Sequence, residues 1–329
     1  MRFTNSLRLL MENFKQVYKI LLFKAGTALI LTALCSALII PELWEIIQNP
    51  VTQDLWENVK NIFLAFFDHE QGKSPSFYVE AVFGKGGSLM QLLDVLFSMR
   101  WGLVLACVGC VLVYLLKCFV DEVVHFSVGS SLNDRMATYA DTPFSTAFVA
   151  NLGKASAYAG LYVPVTFVAD LITFGIICVL LRFLNIFAAL FLSMTLLIVL
   201  QALKLSATGH WLPAMTTDNK TLKDAIWNRS QFEKKQFGKV FFMYLVTLYV
   251  VIIVNVVAAV CTFGSALLIT VPTSYLLFIC EQYVIYYTIT GKKYFITYET
   301  IATNPDRGDH AHFFDYMEEA EKNSELETE

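Results

Sequence analysis

Long apolar blocks alternate with short polar ones along the chain. Between Lys239 and Glu281, 41 successive residues include no Asp, Glu, Lys or Arg. A single helix of that length would measure about 60 Å, roughly twice the hydrocarbon thickness of a bilayer, so the segment must turn back once. Blocks of spanning length predict six membrane-crossing helices, at 20–41, 101–120, 158–181, 183–203, 240–263 and 265–287. Only "RFLN", ending at Asn185, separates the third from the fourth, and "TFGS" around Gly264 separates the fifth from the sixth. The expected fold is all-α: a polytopic membrane bundle of six helices in three hairpins, with interfacial amphipathic helices. Residues 1–291 form its membrane domain, with an outer loop at 42–100, and 292–329 form an acidic cytoplasmic tail whose end is disordered.

The polar lead-ins to the hairpins have a pattern of their own. In the first, Leu7, Leu10, Met11, Phe14, Val17, Tyr18 and Leu21 follow helical spacing opposite Arg8, Glu12, Lys15 and Lys19, which predicts a helix in the membrane interface. Aligning Asn13, Asn151 and Asn228 also matches Thr4, Thr142 and Asn219 nine residues earlier and Leu10, Phe148 and Ala225 three earlier, the outline of a three-fold repeat. In the outer loop, Val51, Leu55, Val59, Ile62, Phe63 and Phe66 predict an amphipathic helix ended by "HEQGKSPS". Ser88 is a candidate cap for a helix leading into the second span.

Charge sets the orientation. Of the 24 Lys and Arg residues, 19 fall in the alternate segments 1–24, 117–157, 204–239 and 292–329, which places both termini in the cytoplasm. The lead before the first apolar block is long and no small-residue cleavage site closes it, so that block is expected to remain as a span. Composition agrees with a lipid setting, with 56% hydrophobic and 16% charged residues. The net charge of −4, with no basic block interleaved with aromatics, gives no support for nucleic acid as a partner. All seven cysteines lie in or beside apolar blocks, and the Cys107–Cys110 pair, placed in a span, is expected to pack rather than to perform redox chemistry.

Three intramembrane polar residues are candidates for function. Asp170 sits mid-way along the third span with no charged neighbour within ten positions, a placement that costs about 2.5–3.5 kcal/mol and marks an ion or proton site or a carboxyl bonded to Thr166, Thr173 or a neighbouring helix. Glu281 is expected near the cytoplasmic end of the last span, within reach of interfacial water. Asn255, like Gln201, is expected to hydrogen-bond across helices. In "NKTLKDAIWNRSQFEKKQFGKV", Lys220, Lys223, Arg229, Lys234 and Lys235 beside Trp227 and Phe232 form a candidate contact with anionic lipid. No H-E-x-x-H, G-x-S-x-G or phosphate-binding loop occurs, and His310 and His312 lack further ligands, so neither catalysis, cofactor nor metal is expected.

The segment "MTTDNKTLKDAIWNRS", placed before a Phe- and Val-rich span in this layout of hairpins led in by amphipathic helices, resembles uncharacterised bacterial membrane proteins. These are related to the membrane domain of some glycerophosphodiester phosphodiesterases, and the likeness covers about 35 residues around 213–247. It implies a bacterial cytoplasmic membrane but no phosphodiesterase activity, which would need a large soluble barrel. The expected function is a non-enzymatic scaffold, interaction or envelope-homeostasis component, with lipid and a membrane-protein partner or a second copy as partners. The alternative is a small-solute or ion transporter using Asp170 as its proton or cation site.

Overall fold

The computed structural model describes residues 2–48, 50–67, 75–84, 86–97, 101–227, 231–305 and 307–326. Thirteen helices and a small sheet follow in order among them: α1 (Arg2–Glu12), α2 (Lys15–Ile47), α3 (Pro50–Phe67), α4 (Pro75–Phe83), α5 (Ser88–Phe97), α6 (Trp101–Thr138), α7 (Phe144–Phe183), α8 (Ile186–Thr208), α9 (Trp211–Thr217), α10 (Leu222–Trp227), α11 (Gln231–Cys261), α12 (Leu267–Thr290), strands β1 (Tyr294–Phe295), β2 (Thr300–Asn304) and β3 (Asp309–His312), and α13 (Phe313–Leu326). Six stretches are long and apolar enough to cross a membrane: Lys15–Pro41, Val104–Thr138, Phe144–Phe183, Ala188–Thr217, Gln236–Cys261 and Leu267–Thr290. The chain is therefore an all-α membrane bundle.

Two of these helices outrun any bilayer. Helix α6 has 38 residues and α7 has 40, about 57 and 60 Å at 1.5 Å per residue against a hydrocarbon core of about 30 Å. Burial divides α6 accordingly. Val104, Leu105 and Leu112 are exposed, as lipid-facing side chains are, whereas Val124, Phe126, Leu132 and Met136 are fully buried in protein. The expected boundary at residue 120 thus marks the end of a lipid-facing stretch and not the end of the helix. Helix α7 likewise continues unbroken through Pro164. A proline costs a helix one backbone bond there, and flanking elements or side chains can offset the loss in a membrane protein.

The described residues form two compact units. The first comprises Met1–Ala25, Cys118–Gly175 and Met194–Glu329. Its core gathers on the second half of α12, where Leu276, Ile279, Cys280, Tyr283 and Val284 are fully buried, and α1, α9 and α11 all pack on that helix. The hairpin between α11 and α12 turns at Phe263 and Gly264, both at positive φ, a conformation glycine adopts without a side-chain penalty. In two of the aligned lead-ins the asparagine does the same work: Asn13 Nδ2 donates to Leu9 O at 2.8 Å and Asn151 Nδ2 to Ala147 O at 3.0 Å. Asn228, the third, lies outside the described residues.

Beyond Gly291 the segment read as an acidic tail carries the antiparallel sheet β1-β2-β3 and α13. Tyr294, Ile296 and Ala302 are buried in the core of the first unit, which is why this stretch is ordered despite its surplus of acids. The last residues, 327–329, lie outside the described part.

The second unit comprises Gly26–Lys117 and Ile176–Ser193. Helix α3 covers the amphipathic stretch expected in the outer loop and packs against α4 and α5. Ser88 does begin a helix, α5, but its hydroxyl points back to Ala81 O at 3.5 Å, and the first turn is closed by Gln91 N to Gly87 O instead. Cys110 Sγ lies 3.9 Å from Cys35 O, and Cys35, Cys107 and Cys110 are free thiols in this packing.

Candidate functional site

Helices α7 and α8 bring a cation to the isolated carboxyl in the third span. Gln201 and Lys204 are three residues apart, on one face of α8, and both reach Asp170 on α7. Lys204 Nζ lies 2.7 Å and Gln201 Nε2 2.9 Å from the same oxygen, Asp170 Oδ1. The two threonines considered as partners bond elsewhere, Thr166 to Tyr162 O and Val163 O, and Thr173 to Ala169 O. The pair is not symmetric in burial: Lys204 is 17% exposed and Asp170 45%. Asp170 thus ties α7 to α8 through a single oxygen.

Glu281 departs from expectation. Interfacial water was expected to reach it, but its side chain is fully buried, because α12 at this level is enclosed by its neighbours and α11 presents Thr247 directly to it. Thr247 Oγ1 donates to Glu281 Oε1 at 2.8 Å, while Oε2 has no hydrogen-bond partner among the described residues. Asn255 bridges α11 and α12 as its position suggested. It donates to Val251 O at 2.8 Å and to Ser274 Oγ at 3.1 Å, and accepts from Thr270 Oγ1 at 2.7 Å. The three candidates do not converge: hydrogen bonds tie Asp170 to α8, and Glu281 and Asn255 to different levels of the α11–α12 pair.

The polar arrangement of α12 was not legible beforehand. Four tyrosines along it send their hydroxyls to other segments, two of them to α6, one to α9 and one to the residue just after α9. Tyr275 Oη donates to Asp121 O at 3.3 Å, Tyr283 Oη shares a 2.7 Å bond with Thr216, Tyr286 Oη donates to Asp218 Oδ2 at 2.7 Å and Tyr287 Oη to Asn133 Oδ1 at 3.0 Å. Asp218 also binds Lys292 and, at 3.1 Å, Lys220. Its partial burial alone would raise its pKa, but hydrogen bonds from Lys292, Tyr286 and Lys220 outweigh this and hold the carboxyl below its ordinary 3.8. A second cluster pairs His125 Nδ1 with Glu122 at 3.1 Å and packs the imidazole, tilted, against Tyr275, whose ring also carries the Lys24 ammonium 3.4 Å from its centroid. "YLLFICEQYVIYY" does show tyrosines at near-helical spacing, the one signal available in the sequence.

Of the candidate lipid contacts, Lys220 is bound to Asp218 and Lys223 is exposed on α10. Arg229 lies outside the described residues, and Lys234 and Lys235 fall on the first turn and a half of α11, where only the backbone is described. His310 is not in a solvated tail. Its Nε2 lies 3.3 Å from Asn5 Nδ2, which also donates to Tyr294 Oη at 2.9 Å, so β3 and β1 are tied to α1. Partial burial and then the nearby Arg8 charge lower the His310 pKa below 6.5. Among the described residues no three His, Cys, Asp or Glu side chains gather closely enough to hold a metal.

These features define a multi-pass integral membrane protein with a protein-filled helical core attached to its spans. Comparison with protein-family models, with curated proteins and with solved structures found no match for the chain.

Proposed function

We propose that this chain is a non-enzymatic scaffold, interaction or envelope-homeostasis component of a bacterial cytoplasmic membrane, with both termini in the cytoplasm. The observation that carries the reading is the Asp170–Lys204–Gln201 contact. A transport carboxyl needs a charge that is free to exchange its ion or proton, whereas this one is neutralised by a lysine of the neighbouring helix. The tyrosines of α12 support the same reading, because each of their hydroxyls fastens one element to another and none is left to handle a substrate. The basic bias of alternate segments supports the orientation, and the likeness around 213–247 supports the bacterial setting. Lys220, Lys223, Arg229, Lys234 and Lys235 would meet anionic lipid, and the basic cytoplasmic segments and the outer loop would meet a membrane-protein partner or a second copy.

A small-solute or ion transporter is the second reading, favoured by Glu281, a buried carboxyl whose Oε2 lacks a donor among the described residues. Proteoliposomes loaded with a pH-sensitive dye and subjected to a salt or proton gradient separate the two. The scaffold reading expects flux equal to that of empty vesicles. A flux above that baseline which Asp170→Asn abolishes, in protein that still reconstitutes, would replace it with the transporter.

A further inference from the structure

Within the first unit, the first turns of α2, the distal part of α6 and the start of α7 enclose a cleft of about 320 Å³. That lies at the small end of the roughly 300–1,000 Å³ typical of small-molecule sites. Lys15, Gln16, Lys19, Ser131, Arg135 and Asp141 supply its polar wall. It opens at the first residues of the membrane-crossing stretch Lys15–Pro41, the level at which a headgroup would lie.

The polar groups are unevenly satisfied. Arg135 is already engaged, by Glu12 at 3.4 Å and by the Tyr139 hydroxyl at 3.2 Å. Lys15 and Lys19 are exposed, and no ion pair among the described residues includes either. Ser131 donates its proton to Thr142 O at 2.9 Å, so towards Gln16 it can only accept, and Gln16 Nε2 meets it at 3.3 Å. That fixes the amide with Oε1 turned away, buried and without a donor among the described residues. Asp141, exposed on the rim, adds a carboxylate outside any of these ion pairs. The wall therefore presents two ammonium groups outside any ion pair among the described residues for an anion, with the N-terminal dipole of α7 adding to their field, and the Asp141 carboxylate for a cationic N–H donor.

We propose that this cleft binds a phosphate ester that carries a primary ammonium, of the phosphoethanolamine type, with Lys15 and Lys19 on the phosphate and Asp141 accepting from the ammonium. A trimethylated amine has no N–H to donate to that carboxylate, so phosphocholine is the discriminating probe. The same chemistry occurs in a phospholipid headgroup and in a free phosphoester.

The test uses the full chain, purified in a phosphate-free non-ionic detergent. In one arm, titration calorimetry measures soluble phosphoethanolamine and phosphocholine. In the other, native mass spectrometry measures retention of phosphatidylethanolamine and phosphatidylcholine from mixed nanodiscs. Phosphoethanolamine chemistry is expected to win by at least tenfold in at least one arm, and the arm in which it wins identifies the source. K15Q/K19Q should weaken binding at least tenfold, and Asp141→Asn should shrink the preference over choline at least threefold. All three side chains are exposed, so these variants leave the core intact. Equal binding of the two amines, undiminished binding by K15Q/K19Q, or no binding in either arm overturns the proposal.

Discussion

Replacing Gly129 with alanine probes the packing of α6 against α12 at its tightest point. A methyl group there would lie 2.7 Å from Tyr283 Oη, 2.9 Å from Leu212 Cδ2 and 3.1 Å from Tyr283 Cε2, where carbon contacts settle at about 3.5–4.0 Å. Something must move by close to 1 Å. Tyr283 is fully buried and its hydroxyl is held by Thr216 at 2.7 Å, so the ring cannot swing away without losing that bond. Overpacking of this kind costs about 1–3 kcal/mol and the lost bond about 1 kcal/mol, offset by about 1 kcal/mol that alanine gains over glycine in a helix. The net expectation is a loss of about 1–3 kcal/mol. Tyr283→Phe removes the nearest atom, so in that background Gly129→Ala should cost at least about 1 kcal/mol less, leaving the flexible end of Leu212 at 2.9 Å and the retained ring carbon Cε2 at 3.1 Å. Equilibrium unfolding in mixed micelles of wild type, both single variants and the double variant measures the coupling. A Gly129→Ala protein as stable as wild type, or one that loses the same amount in both backgrounds, would refute the close approach of Gly129 to Tyr283.

Two further outcomes follow from the polar contacts. Because burial and Arg8 hold His310 below 6.5, its neutral ring is the folded form. The stability it contributes is complete above the unfolded value and is lost as pH falls through the lower folded value. Hydrogen exchange should therefore show β3 and the start of α1 loosening together on acidification below about pH 6, while His310→Gln flattens that response; protection independent of pH in wild type would contradict it. Asn255→Leu removes two bonds between α11 and α12, from Thr270 and to Ser274, and interhelical bonds in membranes are worth about 0.6 kcal/mol each. A destabilisation of roughly 1 kcal/mol is expected in the same micelle titration, and no change would mean that the asparagine finds equal partners in the unfolded helices.

The spans were legible because lipid imposes a length and a hydropathy that few other environments demand, and the tight turns at Asn185 and Gly264 followed from the short polar breaks between them. What the helices do outside lipid was less so. Residues 121–138 look polar enough for a loop, yet Val124, Phe126, Leu132 and Met136 are fully buried in a helix that continues out of the lipid-facing stretch. Asp170 stood out at once, but its partner Lys204 is 34 positions away, and only the register of α7 against α8 brings them together. Glu281 was misjudged for the same reason: distance from the end of an apolar run says nothing of whether α11 covers it. The sheet at 294–312 is short, rich in polar residues and held by Tyr294 and Ala302 packing on a core assembled from remote segments, so local propensity carries almost no trace of it.

On the proposed reading, the Asp170 carboxylate holds α7 and α8 together and does not serve a passing ion. A double-mutant cycle on Asp170→Asn and Lys204→Met, read by unfolding in mixed micelles, probes this. Exposed ion pairs couple by about 0.2–1 kcal/mol, and a pair with a largely buried member, as Lys204 is, is screened less. Each single change should destabilise, the double variant should be more stable than the sum of the two losses by at least about 1 kcal/mol, and it should insert and fold like wild type. Strictly additive losses, or an Asp170→Asn protein more stable than wild type, would contradict it, since a carboxyl kept for an ion at the expense of stability behaves in that second way.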